Sequence, residues 1–254
     1  MNHILTISGP RGGSGKSVTA LNLSASLGLY KKKVLLVDCD PLGSVSEWSG
    51  VRSMDYPFDL ASVLNGKANL IEAVSKTEFS SLDVLPAGFD LFAVSLKLSR
   101  AVANEKIFRL LMDEIRGDYD FIVLDCPSSW GFLSIAAMTA ADRLVAAMSA
   151  NTGWVGDFHV LLESIQYIRQ THGIDLKVAG ISLNRYDSID EVLDGLDHDR
   201  FTGTRELVYD SMIPCDRAVD EAVSRKMPLV LYDVNSPAAQ AYLGLAREII
   251  LAFN

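Results

Sequence analysis

Gly9-Pro10-Arg11-Gly12-Gly13-Ser14-Gly15-Lys16-Ser17 lies between an apolar run, Ile4 to Ser8, and a stretch of helical periodicity that begins at Ser17. Glycines let backbone N–H groups close around a dense cluster of negative oxygens. A helix start behind them adds donors and a positive dipole end. The loop therefore suits a polyphosphate, with Lys16 placed to reach the outer phosphates and the Ser17 hydroxyl to ligate Mg²⁺. It departs from the common pattern at one point. The first glycine of G-x-x-x-x-G-K-[ST] falls at position 10, which is proline, and the basic Arg11 follows it.

Outward from this loop, short apolar runs alternate with helical periodicity. Ile4 to Ser8, Val34 to Asp38, Leu82 to Pro86, Phe121 to Asp125, Leu144 to Met148 and Val178 to Leu183 read as buried strands. Ser17 to Tyr30, Asn104 to Arg116, Phe132 to Ala140, Trp154 to Thr171 and Pro237 to Phe253 read as helices. Trp154, Phe158, Leu161, Leu162, Ile165 and Ile168 recur at helical spacing, a stripe that packs on a sheet. The expected fold class is α/β: a mostly parallel, twisted sheet with helices on both faces. The chain reads as one domain, 1–254, with no internal repeat and no linker. Tyr186 to Arg205 is acidic and reads as a solvated surface excursion.

In such sheets ligands bind beyond the carboxyl ends of the strands. Gly9, Asp38, Asp40, Asp125 and Asn184 all fall there. Phosphoryl transfer needs charge neutralised around the terminal phosphate and a water held in line. Asp125 ends the strand Phe121-Ile122-Val123-Leu124, where a carboxylate can hold Mg²⁺ through its hydration shell. In Val37-Asp38-Cys39-Asp40-Pro41 two carboxylates stand at i, i+2 and point the same way. Asp38 is expected in the metal shell with Ser17 and Asp125, and Asp40 at the attacking water.

At 254 residues and 49% apolar content the chain can bury a substantial core. A net charge of −9 means that no global field draws it to nucleic acid or acidic membranes. The three cysteines, Cys39, Cys126 and Cys215, form no C-x-x-C pair and suit a reduced setting. No signal-peptide pattern and no apolar run of membrane-spanning length is evident, so a cytoplasmic location is expected.

The set R-G-G-S-G-K-S, V-D-C-D-P-L-G and V-L-D-C-P-S-S resembles the ParA/MinD family of deviant Walker ATPases, with its K-G-G-x-G-K-[ST], D-x-D-P-Q-G and D-x-P-P motifs. The likeness continues through Leu85-Pro86-Ala87, Thr139-Ala140-Ala141-Asp142, Ile213-Pro214, Glu221-Ala222, Pro228-Leu229-Val230 and Ala241-Tyr242-Leu243. It resembles most the short ParA branch. The resemblance implies a P-loop NTPase of the SIMIBI type that hydrolyses ATP slowly with Mg²⁺. It also implies a homodimer in the ATP state and a ParB-like or cargo-adaptor partner that stimulates turnover. Carried over residue by residue, Gly12, Gly13, Ser14, Gly15, Lys16, Ser17 and Val18 form the phosphate loop, and Asn184 and Pro214 the adenine site.

The family's signature lysine, which reaches the partner's phosphates across the dimer, falls at Arg11. Arginine keeps the charge as a planar fork of donors and can act as a finger in trans. Val18 replaces a second hydroxyl residue and Ser128 a proline. Nonspecific DNA binding, and with it a nucleoid association, rests on a thin basic patch of Arg217, Arg225 and Lys226, interspersed with Asp216, Asp220 and Glu221. The alternatives are a nucleotide-dependent scaffold that does not bind DNA and a MinD-like membrane-cycling ATPase. The second needs a basic amphipathic tail, and Leu243 to Asn254 offers only Arg247, so no membrane partner is expected.

Overall fold

Successive residues of the central strands face two different apolar layers. Ile4, Leu35, Val37, Ile122, Leu124, Leu144, Ala146 and Met148 belong to one layer. Their neighbours Leu5, Ile7, Val34, Leu36, Phe121, Val123, Val145 and Ala147 belong to the other. Period-two alternation of this kind, apolar on both faces, is what a sheet covered by helices on each side requires.

The computed structural model describes residues 2–51, 56–100, 104–150, 153–187, 192 and 203–253. In chain order the first half runs β1 (His3–Ser8), α1 (Lys16–Leu29), β2 (Val34–Asp38), α2 (Ser44–Trp48), α3 (Leu60–Leu64), α4 (Leu70–Ala73), β3 (Ser75–Lys76), β4 (Leu82–Leu85), α5 (Leu91–Leu98) and α6 (Ile107–Ile115). The second half runs β5 (Phe121–Asp125), α7 (Phe132–Ala140), β6 (Arg143–Ser149), α8 (Trp154–His172), β7 (Lys177–Tyr186), α9 (Thr204–Leu207), β8 (Ile213–Pro214), α10 (Arg217–Ser224), α11 (Leu229–Tyr232) and α12 (Pro237–Phe253).

The eight strands form one sheet in the order β3-β4-β2-β5-β1-β6-β7-β8. Every pairing is parallel except β3 with β4. β1 thus lies between β5 and β6, and the carboxyl ends of β1, β2, β5, β6 and β7 open on one edge. On one face Phe108 and Met112 of α6, Ala136 and Ala137 of α7, and Trp154, Phe158, Leu161 and Ile165 of α8 complete the core. On the other, Leu21, Leu23 and Leu27 of α1 join Tyr242, Leu245 and Ile249 of α12.

The expected strands and long helices stand where the periodicity placed them, with two differences. Residues Asn104 to Arg116 form a 3₁₀ turn, then α6, and pass at Arg116 into a second 3₁₀ turn, Arg116–Asp118. β7 continues to Tyr186, three residues beyond the apolar run, and carries Asn184 within the strand. Of the acidic stretch Tyr186 to Arg205, residues 188–191 and 193–202 lie outside the described residues. Among the described residues no helix is long and apolar enough to cross a membrane.

Candidate functional site

The phosphate loop turns back on itself through Gly13 and Gly15, whose φ angles of 80° and 88° lie in the left-handed region. α1 then starts at Lys16 with no side chain capping it. Its first N–H groups are left for an external acceptor. A Cβ on Gly13 would meet nothing within 4 Å, so the exposed loop is open at this point. The Ser14 hydroxyl is buried without a hydrogen-bond partner among the described residues.

Lys16 is only 5% exposed. Its Nζ donates to the Arg11 carbonyl at 2.8 Å and so closes the loop across its base. Burial lowers its pKa, opposed by the charges of Asp125, Cys126 and Asp40. Arg11 points outward instead: its guanidinium meets Asp157 of α8 at 2.8–2.9 Å.

Asp38 and Asp125 are direct neighbours across β2 and β5, and both are fully buried. Their surroundings differ. Asp38 Oδ1 accepts the Asp40 amide at 3.1 Å, and Oδ2 accepts the Ser46 amide and hydroxyl at 2.8 and 2.7 Å. Burial still raises its pKa to about 6, against the pull of those donors. Among the described residues the Asp125 oxygens have no donor at hydrogen-bonding geometry, although the Ser17 hydroxyl is close enough to ease the charged form. Burial, then the charge of Asp38, push the Asp125 pKa well up.

Two bare carboxylate oxygens beside a serine hydroxyl fit a hard, oxygen-seeking divalent cation such as Mg²⁺. Of the two acids expected at the metal, Asp125 presents free oxygens, while Asp38 is largely spent on α2 and the turn after β2. Asp40 is half-buried, and its Oδ1 accepts the Leu42 amide at 3.0 Å, which fixes the side chain at the rim. Ser46, which no motif marks, is the residue that sequence reasoning missed. Its hydroxyl donates to Asp38 and accepts the Ala87 amide at 3.0 Å. The thiols beside these acids are free and buried; burial pushes Cys126 up to about 12, and Cys39 is raised as well.

From the loop a cleft of about 490 Å³ runs toward α10, a volume within the usual range for a small-molecule site. Gly13, Gly15, Lys16, Ser17 and Val18 line it on the loop side, with Asn184 beside them, and Arg185, Pro214, Cys215 and Arg217 line it as well. Trp48 and Tyr242 complete the wall. Asn184 and Pro214 are thus brought to the cleft, but the Asn184 amide is turned inward and donates to the Ser14 carbonyl at 3.0 Å.

The three basic residues expected at DNA each have different neighbours. Arg217 borders the cleft, Arg225 lies over the Tyr232 ring at 5.3 Å, and Lys226 pairs with Glu47 at 2.8 Å. Asp216, which dilutes the patch in sequence, is a structural cap. Its carboxylate accepts the amides of Ala218 at 2.9 Å and Ala238 at 3.1 Å, joining the starts of α10 and α12.

A family model described as an AAA domain matches residues 2–178. The chromosome partitioning protein ParA of Caulobacter vibrioides is 34% identical over 249 residues, covering 97% of this chain and 93% of its own. The sporulation initiation inhibitor protein Soj of Bacillus subtilis is 30% identical over 249 residues and is covered to 98%, as is this chain. Among solved structures, the septum site-determining protein MinD of Pyrococcus horikoshii, complexed with Mg-ADP, superposes with a TM-score of 0.80 at 28% identity, over 98% of this chain and 96% of that one. With this sheet order, this loop and these relatives, the chain belongs to the ParA/MinD family and has its α/β P-loop NTPase fold.

Proposed function

We propose that this protein is a Mg²⁺-dependent ATPase that works as a partition or positioning switch, dimeric with ATP and monomeric with ADP. The observation that carries the reading is Asp125: a buried carboxylate with both oxygens unpaired beside an uncapped helix start. An unpaired buried charge is costly, and a bound cation is the partner that would offset it. The deviant Walker A reading rests on Arg11 standing in the signature position.

The chain's own groups divide the work. The amides of Gly12 to Ser17 and the Lys16 ammonium bind the β- and γ-phosphates of ATP, and Ser17 and Asp125 would hold Mg²⁺, which neutralises phosphate charge when bound. Asp38 fixes the Asp40 backbone through the Asp40 amide, and the half-buried Asp40 side chain aligns the attacking water. Arg11 leaves Asp157 and reaches the partner subunit's phosphates as a finger. Turnover is slow until a ParB-like or cargo-adaptor protein completes the site. The relatives named for chromosome partitioning support this reading, as does the match in fold to a cell-division ATPase. A cytoplasmic, nucleoid-associated location goes with it.

A second reading, a nucleotide-dependent scaffold that does not bind DNA, is favoured by one observation. Arg225 and Lys226 are engaged locally and Arg217 faces the cleft. Cosedimentation with nonspecific duplex DNA at low and moderate salt, with ATP, ADP or neither, separates the two. ATP-dependent, salt-sensitive binding supports the partition switch; no binding in any state supports the scaffold. Hydrolysis assayed with Mg²⁺ and with EDTA tests the shared chemistry, and equal rates would overturn it.

A further inference from the structure

We infer that a groove at the amino edge of the sheet, the edge opposite the phosphate loop, binds a compact anion bearing several phosphate groups. β1, β6 and β7 lie side by side. Their first residues, His3, Arg143 and Lys177, border a groove of about 980 Å³ that α12 closes with Phe253. Its volume is within the range of small-ligand sites. Lys106, Arg109, Arg116, Arg143 and Lys177 line it, against the acids Asp142 and Asp175. In a chain of net charge −9 this is a local reversal of sign. Such a field gathers anions at one place on a surface that otherwise repels them.

The cations divide into two sets. Arg109 and Arg116 serve the fold. Arg109 donates to the Ala140 carbonyl at the end of α7, at 2.9 Å, and pairs with Asp142 at 3.2 Å. Arg116 holds the Asn2 carbonyl at 2.8–3.0 Å and the same Asp142. Asp142 is thereby matched by two guanidinium groups. The second set has no such task. Arg143 is half-buried, yet among the described residues its side chain makes no ion pair or hydrogen bond. It lies over the Phe253 ring at 4.9 Å, which fixes the guanidinium plane and leaves its N–H edge for a pair of oxygens. Lys106 is exposed with no ion pair among the described residues, and Lys177 meets only the exposed Asp175, at 3.4 Å. On the α7 wall the buried Thr139 hydroxyl also lacks a hydrogen-bond partner among the described residues. Three cations from separate elements suit a ligand with several charged groups. Asp113 and Asp175 stand exposed beside them, so a long polyanion such as duplex DNA would run from cations onto carboxylates. A compact one needs the centre alone.

Inorganic tripolyphosphate is the probe, titrated calorimetrically at fixed salt. The phosphate loop offers it a second place, so the titrations are made in Lys16→Ala. Binding is expected to persist there and to weaken on the order of tenfold when Arg143→Gln is added. Arg143→Lys, which keeps the charge and loses the planar fork, is expected to fall in between. Lys106→Gln and Lys177→Gln change exposed side chains; each is expected to weaken the probe with the melting temperature unchanged, which keeps the test intact if Arg143→Gln does not fold. No binding in Lys16→Ala, or binding that none of the groove substitutions moves, would overturn the inference. Duplex DNA or an acidic peptide binding more tightly than tripolyphosphate, and lost in the same variants, would overturn it too, because the groove would then serve an extended partner.

Discussion

Arg11 places two guanidinium nitrogens on a single oxygen of Asp157, Nε at 2.9 Å and Nη2 at 2.8 Å, so the loop's outward cation is held by its own α8. The Arg11 side chain is 73% exposed. Such a pair is worth at most about 1 kcal/mol, little enough for a second nucleotide's phosphates to displace it. Asp157→Asn is therefore expected to leave thermal stability almost unchanged and to tighten ATP-dependent dimerisation by up to about fivefold. Arg11→Ala is expected to remove the dimer. Analytical ultracentrifugation with ATP checks both, and a weaker dimer in Asp157→Asn would mean that Asp157 aims Arg11 instead of restraining it.

Asp125→Asn removes an unpaired buried charge. Without nucleotide or Mg²⁺ it is expected to stabilise the protein near neutral pH by about 1–3 kcal/mol, while nucleotide affinity loses its dependence on Mg²⁺. The pH dependence has a definite sign. Burial, then Asp38, raise the Asp125 pKa, and the neighbouring Asp38 is raised to about 6. A carboxyl whose pKa rises on folding binds more protons in the native than in the unfolded state, so stability falls as pH climbs through that window. The advantage of Asp125→Asn should accordingly grow between about pH 4 and pH 7. Urea unfolding of both proteins across that range tests it; a destabilised variant at neutral pH would contradict it.

Ser46→Ala takes a donor from Asp38 and the acceptor from the Ala87 amide together. Both groups are buried, so a loss of about 1–3 kcal/mol is expected in urea unfolding. Turnover of ATP should fall as well, because Asp38 also anchors the Asp40 amide. Unchanged turnover in a variant that is measurably less stable would separate Asp38 from the water-aligning group.

Asp216→Ala is expected to cost about 1–2 kcal/mol, the loss of an N-cap that also serves a second helix. Burial pushes this carboxyl up, but the amides of Ala218 and Ala238 outweigh it and hold the pKa low. A depressed pKa contributes stability above the unfolded value and loses it as pH falls. The variant's deficit in melting temperature should therefore shrink in acid. DNA cosedimentation should not rise, and a rise would restore Asp216 to the surface patch.

The central strands are legible in the sequence because each is apolar on both faces and ends at a polar residue, as in Phe121 to Asp125. The long helices are legible from stripes such as Trp154, Phe158, Leu161 and Ile165. The short elements are not. Ser44–Trp48, Leu70–Ala73 and Ile213–Pro214 have too few residues for a period and are set by capping and by their neighbours in the fold. At the site, the loop and the three aspartates stand out because their chemistry is local in sequence. The different fates of Asp38 and Asp125 do not, since they depend on Ser46 arriving from α2. The inward turn of Asn184 depends likewise on Ser14 lying 170 residues away.

The most direct measurement is sedimentation velocity of the wild type and Asp40→Ala with Mg²⁺ and ATP, ADP or no nucleotide. A dimer with ATP, more persistent in Asp40→Ala because hydrolysis no longer resets it, and a monomer with ADP or without nucleotide are expected. One unchanged sedimentation coefficient under all three conditions, in a protein shown by titration to bind ATP, would contradict the switch.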